Sequence, residues 1–356
     1  MDVLHVDPER GWGGGEVQVL ALVRELLARG HRSRIAADPR GRLAREAAAA
    51  GIPVDALRIA NALDLPAGAR LRRLVGRHDV VHLHTARAHA LAPFCRVPGI
   101  RLVVTRRMDY VPRGGLYVRW LYNRAVDVVI AISEGVRAAL LRAGVHADRI
   151  RVVPSGIDVS AVHATPDAAA ALRAEWGIGS DEVLVLVLGA LERRKGHAVL
   201  LEAARRLAPD RPRLRYVFAG EGSERGALAA AARELGDRVV FAGFRRDVAA
   251  CLAAADLVAV PSLHEGLGVA ALEAMAAGRP VVASRVGGLA EVVVEGESGL
   301  LTAAGEPQPL AAALAALADD PGLRARLGQG GRARVLARYT AARMAEGTLA
   351  CYVEGA

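Results

Sequence analysis

Two glutamates lie in a segment whose residue types suit a phosphorylated sugar ligand. The segment reads PSLHEGLGVAALEAMAAGRP and places Glu265 and Glu273 with seven residues between them. A carboxylate accepts hydrogen bonds from sugar hydroxyls, so one glutamate could hold a sugar and the other a ribose. The alternative is that Glu273 is an ordinary acid on a helix surface and Glu265 a favourable charge at a helix start.

The residues between the two glutamates predict a turn followed by a helix. A strand-like apolar run ends at Pro261, and we expect the helix to begin near Leu267. The first N–H groups of a helix have no partner within it, and the helix dipole places positive charge there. This arrangement favours a diphosphate ligand.

A lysine follows another predicted strand, in the segment GALERRKG. Lys195 is the only lysine among the 47 basic residues of the chain. A compact ammonium on a flexible stem suits a phosphate oxygen whose negative charge grows as a leaving group departs. Arg193 and Arg194 precede it and are either phosphate contacts or solvated surface arginines.

The segment with the two glutamates resembles the donor-site signature of the retaining GT-B glycosyltransferases of family 4, the glycosyl transferases group 1. The resemblance extends through Ala274–Gly278 and Pro280. It implies that Glu265 contacts the transferred sugar and that Glu273 binds the ribose. It also implies that the backbone N–H groups of Gly266–Gly268 hold the diphosphate.

The loop with the lysine departs from the pattern of that family. Relatives usually carry an arginine and a lysine there, both on the diphosphate, but Ala190 occupies the arginine position in this chain. Arg193 or Arg194 could replace the missing contact. The Gly-Phe-Arg region of the family contacts the base, which implies this role for Phe244 and Arg245.

The first half of the chain has its own candidate residues after predicted strands. Gly13 and Gly14 lie in the loop GWGGGE, where glycines let the backbone approach a phosphate, and Glu16 follows on the acceptor side. His84 ends the segment HLH, which is similar to the His-x-His element of the family. It is either an acceptor-side residue or a buried packing residue. No metal site is expected, because no third ligand has a suitable spacing.

An arginine stands where many relatives carry a histidine that orients the reacting sugar. The segment is TRRMDYVP, and Arg107 occupies that position. An arginine cannot act as a general base because its pKa lies above ~12. Arg107 could bind an anionic acceptor or stabilise the leaving phosphate, with Asp109 orienting it, and Arg106 is a further acceptor-side candidate. The Arg-Arg variant resembles a subgroup with lipopolysaccharide or envelope-glycan acceptors.

Short β-branched runs alternate with amphipathic stretches along both halves, which is typical of βαβ units in a doubly wound parallel sheet. The predicted strands are Val3–Val6, Ser33–Ala36, Val80–Leu83, Leu102–Thr105, Val128–Ile132, Val183–Leu188, Leu214–Ala219, Val239–Phe241, Leu257–Val260 and Pro280–Ala283. They predict an α/β protein of the GT-B type, in which two Rossmann-like domains face each other across a cleft.

The chain length of 356 residues also favours two domains. We expect an acceptor-binding domain at residues 1–158 and a donor-binding domain at 159–338. Residues 339–356 are expected to form a helix that crosses back to the first domain. A polar, alanine-rich segment, Asp158–Ala171, is predicted to be the linker.

The composition predicts a soluble, cytoplasmic protein. Hydrophobic residues make up 53% of the chain, yet no apolar run reaches the roughly eighteen residues of a membrane span. The N-terminus has no basic leader or cleavage signal. Cys95, Cys251 and Cys351 are widely separated, which favours reduced thiols over a zinc or disulfide site.

The positive charge is concentrated in the first half. Residues 1–160 hold 25 arginines and 15 acidic residues, and the remainder has 22 basic and 23 acidic residues. Arginines gather in Arg70–Arg77 and Arg101–Arg124, which predicts peripheral contact with the anionic inner face of a membrane. An arginine-rich coding bias is the alternative. No nucleic-acid partner is expected, because only 4% of residues are aromatic and no stacking platform is present.

These residues and the family resemblance predict a retaining glycosyltransferase that moves a hexose from a nucleotide diphosphate sugar, with UDP or GDP as the carrier. The acceptor would be a glycan, a glycolipid or a small molecule. No metal or other cofactor is expected, since the chain lacks an Asp-x-Asp motif. The alternatives are a sugar-nucleotide epimerase of the same architecture and a non-catalytic nucleotide-sugar binding protein.

Overall fold

The chain divides into two compact units. The structure is a computed structural model that describes residues 1–112 and 114–353. The first unit contains Met1–Gly156 together with the segment from Ala341 onward, and the second contains Ile157–Thr340. The boundaries expected from the sequence were after residues 158 and 338.

The first unit is built on seven parallel strands in the order β3-β2-β1-β4-β5-β6-β7. The strands are β1 (Asp2–Val6), β2 (Arg32–Ala37), β3 (Val54–Ala56), β4 (Val80–Leu83), β5 (Arg101–Arg106), β6 (Val128–Ala131) and β7 (Ile150–Val152). The helices are α1 (Gly14–Ala28), α2 (Arg42–Ala49), α3 (Leu65–Val75), α4 (Ala86–Ala90), α5 (Ala92–Cys95), α6 (Gly115–Trp120) and α7 (Glu134–Arg142). A π turn, Leu121–Ala125, follows α6.

The second unit contains six parallel strands in the order β10-β9-β8-β11-β12-β13. The strands are β8 (Val183–Leu188), β9 (Leu214–Ala219), β10 (Val239–Gly243), β11 (Leu257–Val260), β12 (Val281–Ser284) and β13 (Leu300–Thr302). The helices are α8 (Pro166–Glu175), α9 (His197–Leu207), α10 (Arg225–Ala231), α11 (Val248–Ala254), α12 (Val269–Ala276), α13 (Leu289–Val292), α14 (Pro307–Asp319) and α15 (Pro321–Arg338).

The last helix, α16 (Ala341–Val353), belongs to the first unit and packs against α1. Met344, Ala345 and Tyr352 on this helix join a buried cluster with Val3 of β1 and Val103 of β5. This helix therefore covers one face of the first sheet.

Both sheets are covered on two faces, which explains the apolar character of their central strands. β8 reads VLVLVL without alternation, and its four central residues are buried. A strand between helical layers has no polar face, so a continuous apolar run is expected. The prediction of two doubly wound α/β units is confirmed.

The sequence expectations were wrong at two places in the fold. The predicted linker Asp158–Ala171 lies inside the second unit, where Pro166–Glu175 forms α8. The Thr165 hydroxyl caps this helix by accepting a hydrogen bond from the Ala168 N–H, and Pro166 stands at the first helical position. Three strands of three residues each were also missed, namely β3, β7 and β13.

No helix in the described ranges, 1–112 and 114–353, is both long and apolar enough to cross a lipid bilayer.

Candidate active site

The second unit brings a lysine and a glutamate together at the point where its strand order reverses. β8 lies beside β9 on one side and β11 on the other, and Lys195 and Glu265 lie in the loops that follow β8 and β11. Ligands of doubly wound sheets bind beyond the carboxyl ends of the strands at such a reversal. The position favours a ligand-binding site.

A glycine makes the close approach of these two loops possible. Gly196 has a φ of +66°, and a Cβ atom there would lie 1.9 Å from the Pro261 carbonyl oxygen. No other residue fits without moving the backbone. The Arg194 carbonyl also accepts a hydrogen bond of 2.7 Å from the Leu263 N–H. These contacts hold the loop with Lys195 against the loop with Glu265.

Lys195 and Glu265 form an ion pair. The Lys195 Nζ lies 2.5 Å from Glu265 Oε2, and the Ser262 hydroxyl donates to the same oxygen at 3.2 Å. The side chains are only 16% and 12% exposed, so solvent screens the pair weakly. The two residues that the sequence suggested for catalysis therefore share one small, partly enclosed region.

The helix after Glu265 begins two residues later than expected, at Val269, and no side chain caps it. Gly268 before it has a φ of +97°, and a Cβ atom there would lie 2.3 Å from Leu289 Cδ2. The turn therefore requires glycine at this position. The uncapped start of α12 presents its positive end directly after Glu265.

Glu273 has a half-buried carboxyl with no hydrogen bond or ion pair to any other residue that the structure describes. It lies on α12, one turn after the helix start. Burial raises the pKa of Glu273 to about 7. A carboxyl in this state can accept hydrogen bonds from the hydroxyl groups of a ligand.

Four other donor-side predictions have different surroundings. Arg193 is exposed, and Arg194 pairs with Glu192 at 2.7 Å. Phe244 is exposed, whereas Arg245 is held between Glu175 and Asp247 by ion pairs of 2.7 and 2.6 Å. The structure does not bring Arg245 to Lys195 or Glu265 through any contact among the described residues. The ligand roles of these four residues stay predictions.

The first unit has its own strand-order reversal, between β1 and β4. Asp7 follows β1, His84 follows β4, and Arg107 follows β5. The Arg107 side chain lies against the start of α1. Its Cδ would be 3.7 Å from a Cβ atom if Gly15 were replaced by a residue that has one. Sequence reasoning missed Asp7, although its place after the first strand of a doubly wound sheet was a usable signal.

Asp7 is a buried carboxyl at this reversal point. It is 1% exposed, and its pKa is raised to about 7, first by burial and then by the nearby Glu16. The positive charge of Arg107 opposes this rise. The structure thus keeps an ionisable group where the charged form is unfavourable, which is common at functional sites.

The Asp7→Asn variant is expected to be more stable than the wild type at pH 8 and equally stable at pH 4. The folded-state pKa of about 7 lies above the ordinary aspartate pKa of 3.8, so wild-type stability falls as pH rises through that interval. The full interval corresponds to about 4 kcal/mol with the attraction of Arg107 already included, so the gain at pH 8 should approach that value. Urea unfolding across pH measures this, with the exposed Asp210→Asn as control. A pH-independent difference would contradict the assignment.

Three buried histidines lie behind Arg107. The Nδ1 of His5 is 3.0 Å from the Nε2 of His84, and the Nδ1 of His84 is 3.4 Å from Arg107 Nη2. Arginine can only donate, so Nδ1 of His84 accepts and its Nε2–H donates to His5. His84 is 2% exposed. It therefore positions Arg107 rather than presenting a face to an acceptor.

The expectation that no third metal ligand has a suitable spacing is wrong, because a third histidine lies beside His82 and His84 in the folded protein. His5, His82 and His84 offer nitrogens within 4.8 Å of one another, because His5 on β1 pairs in register with His82 on β4. Both nitrogens of His82 already bond, to Tyr352 at 2.7 Å and Thr105 at 2.6 Å. These bonds and the adjacent Arg107 favour a hydrogen-bonded chain over a cation site.

The acceptor-side prediction for Asp109 needs correction, whereas that for Glu16 stays a prediction. Asp109 does not orient Arg107, because its Oδ1 is enclosed without a partner and no ion pair joins the two residues. The carboxyls that act on Arg107 are those of Asp7 and Glu16. Glu16 also accepts a hydrogen bond of 2.7 Å from the Gly13 N–H, while Gly14 is the first residue of α1. Glu16 therefore stabilises the helix start.

Two Rossmann-like units, one of which carries an ion-paired glutamate and lysine beside an uncapped helix start, define the GT-B class of nucleotide-sugar glycosyltransferases. The family model described as Glycosyl transferases group 1 matches residues 169–334, and the model described as Glycosyltransferase Family 4 matches residues 12–161. The chain belongs to glycosyltransferase family 4 and is a glycosyltransferase with a nucleotide-sugar donor.

Relatives and solved structures support this assignment. A D-inositol 3-phosphate glycosyltransferase from Xylanimonas cellulosilytica is 34% identical over 294 residues, which are 74% of this chain and 69% of that protein. A GDP-mannose-dependent alpha-(1-6)-phosphatidylinositol monomannoside mannosyltransferase from Mycolicibacterium smegmatis is 32% identical over 74% of each chain. The crystal structure of Anabaena HepE in complex with UDP-glucose has a TM-score of 0.89 at 26% identity, over 99% of this chain and 100% of that chain.

Proposed function

We propose that the protein is a retaining, metal-independent hexosyltransferase that uses a UDP-hexose and transfers the sugar to a hydroxyl group of a glycan, glycolipid or small molecule. The observation that carries the proposal is the Lys195–Glu265 ion pair, which lies before an uncapped helix that also bears Glu273, a carboxyl without a partner among the described residues. The likeness to HepE bound to UDP-glucose supports UDP as the carrier, and the relative that depends on GDP-mannose makes GDP the alternative.

Each of these groups has a part in the proposed reaction. Glu273 accepts hydrogen bonds from the ribose, and the N–H groups of Gly266–Gly268 bind the diphosphate. Glu265 faces the sugar and stabilises the positive charge that develops at its anomeric carbon. Lys195 stabilises the negative charge on the departing diphosphate, so that no metal is required. The acceptor hydroxyl enters from the face that the diphosphate leaves.

The donor and the stereochemistry can be tested together. Thermal shifts with UDP-glucose, GDP-mannose and ADP-glucose identify the carrier, because a ligand at one hundred times its Kd stabilises a protein by about 2.7 kcal/mol. Proton NMR of the product then gives its anomeric configuration. Inversion of the donor configuration would refute the retaining mechanism. Activity that is lost in EDTA and restored by manganese would refute metal independence.

Incubation with the donor alone separates the proposed transferase from its two alternatives. An epimerase converts a sugar nucleotide without an acceptor, and a binding protein leaves every donor unchanged. We expect no epimerised sugar nucleotide and a turnover that depends on added acceptor. Acceptor-independent conversion would favour the epimerase.

Donor binding is expected to weaken as pH falls. The pKa of Glu273 is raised to about 7 by burial, so below that pH the free protein increasingly carries an uncharged carboxyl that accepts ribose hydrogen bonds less well. We expect the Kd of UDP-glucose to be several-fold higher at pH 6 than at pH 8, and a Glu273→Gln variant to bind weakly at both. UDP-glucose suits the calorimetric titration because it lacks the terminal phosphate, whose pKa is about 6. A wild-type Kd that does not change with pH would contradict the ribose role of Glu273.

We also propose that the first unit contacts an anionic membrane that carries the acceptor. Aromatic and apolar side chains stand exposed around α6, with Leu116 at 81% and Trp120 at 47% exposure. Arg119 and Arg124 are exposed beside them, and Arg113 lies outside the described residues. Aromatic rings and cationic groups both suit a lipid headgroup layer.

Vesicle sedimentation tests this contact. Each well-placed arginine is worth about 1 kcal/mol at an anionic surface, so Arg119→Glu with Arg124→Glu should weaken binding to phosphatidylglycerol vesicles by roughly tenfold or more. High salt should have a similar effect because it screens exposed charges. The control is Arg233→Glu on the second unit. Equal binding of the wild type to neutral and anionic vesicles would refute the proposal.

A further inference from the structure

Arg106, the last residue of β5, is a buried cation without an acidic partner in the described part of the chain. The residue is 5% exposed. Its Nη2 donates to the Tyr110 carbonyl at 3.3 Å, and its Nε is enclosed without a partner. An unpaired buried charge is strongly unfavourable, so such a group calls for an anion.

The side chains that contact or lie beside Arg106 across the fold are uncharged, as far as the structure describes them. The ring of Tyr110 lies 4.8 Å from the guanidinium carbon. His89 and Tyr122 lie nearby, where burial and then the charge of Arg106 lower the pKa of His89 to about 3. The Nε2–H of His89 donates to the Leu83 carbonyl at 3.1 Å, so its Nδ1 accepts the Tyr122 hydroxyl. None of these contacts neutralises the cation.

The neighbouring arginine has a different environment. Arg107 is attracted by the negative charges of Asp7 and Glu16 and also bonds His84. Of the two adjacent guanidinium groups, only that of Arg107 is attracted by Asp7 and Glu16, and Arg106 has no ion pair among the described residues. An added anion would meet the carboxylates of Asp7 and Glu16 at Arg107, whereas Arg106 has no ion pair in the described ranges that competes for it.

We propose that Arg106 binds an oxyanion of the acceptor, either a phosphate monoester or a carboxylate, at the carboxyl end of β5. This inference rests on the proposed function, because it assigns the acceptor of the same reaction. Nη1 has no hydrogen bond to any residue that the structure describes and is not fully enclosed, so it is the guanidinium nitrogen open to an anion. Tyr110 is 53% exposed and covers the guanidinium with its ring and its carbonyl. Its displacement would free Nη2 for a bidentate contact.

Calorimetric titration with inorganic phosphate tests the site, with UDP present at saturation so that the diphosphate site is filled. We expect Arg106→Met to raise the Kd for phosphate at least tenfold. The same variant, without phosphate, should melt about 2–4 °C higher than the wild type because it removes an unpaired buried charge. The control is Arg24→Met, at an exposed arginine of α1. A lower melting temperature together with unchanged phosphate affinity would show a purely structural role and overturn the proposal.

Arg106→Lys keeps the test decisive should the methionine variant fail to fold. Lysine retains the charge but not the planar fork, so phosphate affinity should fall by less than in Arg106→Met but by more than in Arg24→Met. An affinity equal to the wild type in Arg106→Lys would count against a bidentate site.

Two oxyanion sources can be separated with the same variants. Glucose 6-phosphate represents a soluble acceptor, and vesicles with phosphatidic acid represent a lipid headgroup. Loss of binding to either probe in Arg106→Met supports the oxyanion site, and unchanged binding to both overturns it. UDP-glucose affinity, measured in parallel, should not change. A protein that binds phosphate through Arg106 but no sugar nucleotide would refute the proposed function and leave the oxyanion site in place.

Discussion

Glu265→Gln is expected to lower kcat by about 10²- to 10³-fold, the range for loss of one preorganised electrostatic contact in a transition state. Glutamine keeps the shape of the side chain, and its amide oxygen can still accept from Lys195 and Ser262. The variant loses the negative charge that stabilises the developing positive charge on the sugar. The Kd of UDP-glucose should change little, because the diphosphate and ribose contacts remain.

The Glu297→Gln variant is the control for the loss of one negative charge. Glu297 is exposed in the second unit, so its substitution removes a negative charge from the same unit without touching the ion pair. Glu265→Gln should leave the circular dichroism spectrum unchanged. Full activity in a folded Glu265→Gln variant would remove Glu265 from the reaction and with it the proposed mechanism.

The sequence predicted the central strands of both sheets but not three of their edges. β3, β7 and β13 are edge strands of three residues each. A central strand buried on both faces must be a continuous apolar run, as in β8, and such a run is recognisable. A short edge strand pairs on one side only, so polar residues such as Asp55 and Arg151 are tolerated there. Three residues also hold too little pattern to distinguish a strand from a loop.

One part of the candidate site is predictable from neighbouring residues in the chain, and another part depends on residues that are far apart in the chain. The turn after Glu265 was predictable because glycines, an apolar run and a helix start follow one another in the chain. Lys195 and Glu265 are seventy residues apart, and only the strand order β8-β11 brings their loops together. Sequence alone suggested both as catalytic groups but did not show that they pair.

The histidines behind Arg107 show why some residues could not be placed. The sequence does not reveal that His5 neighbours His84, because the two residues lie on different strands. Only the parallel register of β1 with β4 brings them together. Asp109 was likewise expected to orient Arg107 only because the two residues are close in sequence. In the structure, the carboxylates that attract Arg107 are those of Asp7 and Glu16, which lie near the start of the chain.

Lys195→Ala is expected to reduce kcat/KM by more than the roughly ten- to two-hundred-fold that loss of one charged hydrogen bond of about 1.5–3 kcal/mol would give. The substitution also leaves Glu265, whose side chain is 12% exposed, without its cation, and an unpaired charge in a partly enclosed site is unfavourable. Lys195→Ala and Glu265→Gln should therefore be strongly non-additive, with the double variant little worse than the worse single variant. Arg206→Ala, on α9, is the control. Arg193→Ala and Arg194→Ala, assayed in the same way, show whether either arginine supplies the diphosphate contact that is missing at Ala190. Additive losses in the double-mutant cycle would mean that the ion pair is not a functional unit and that the two residues act independently.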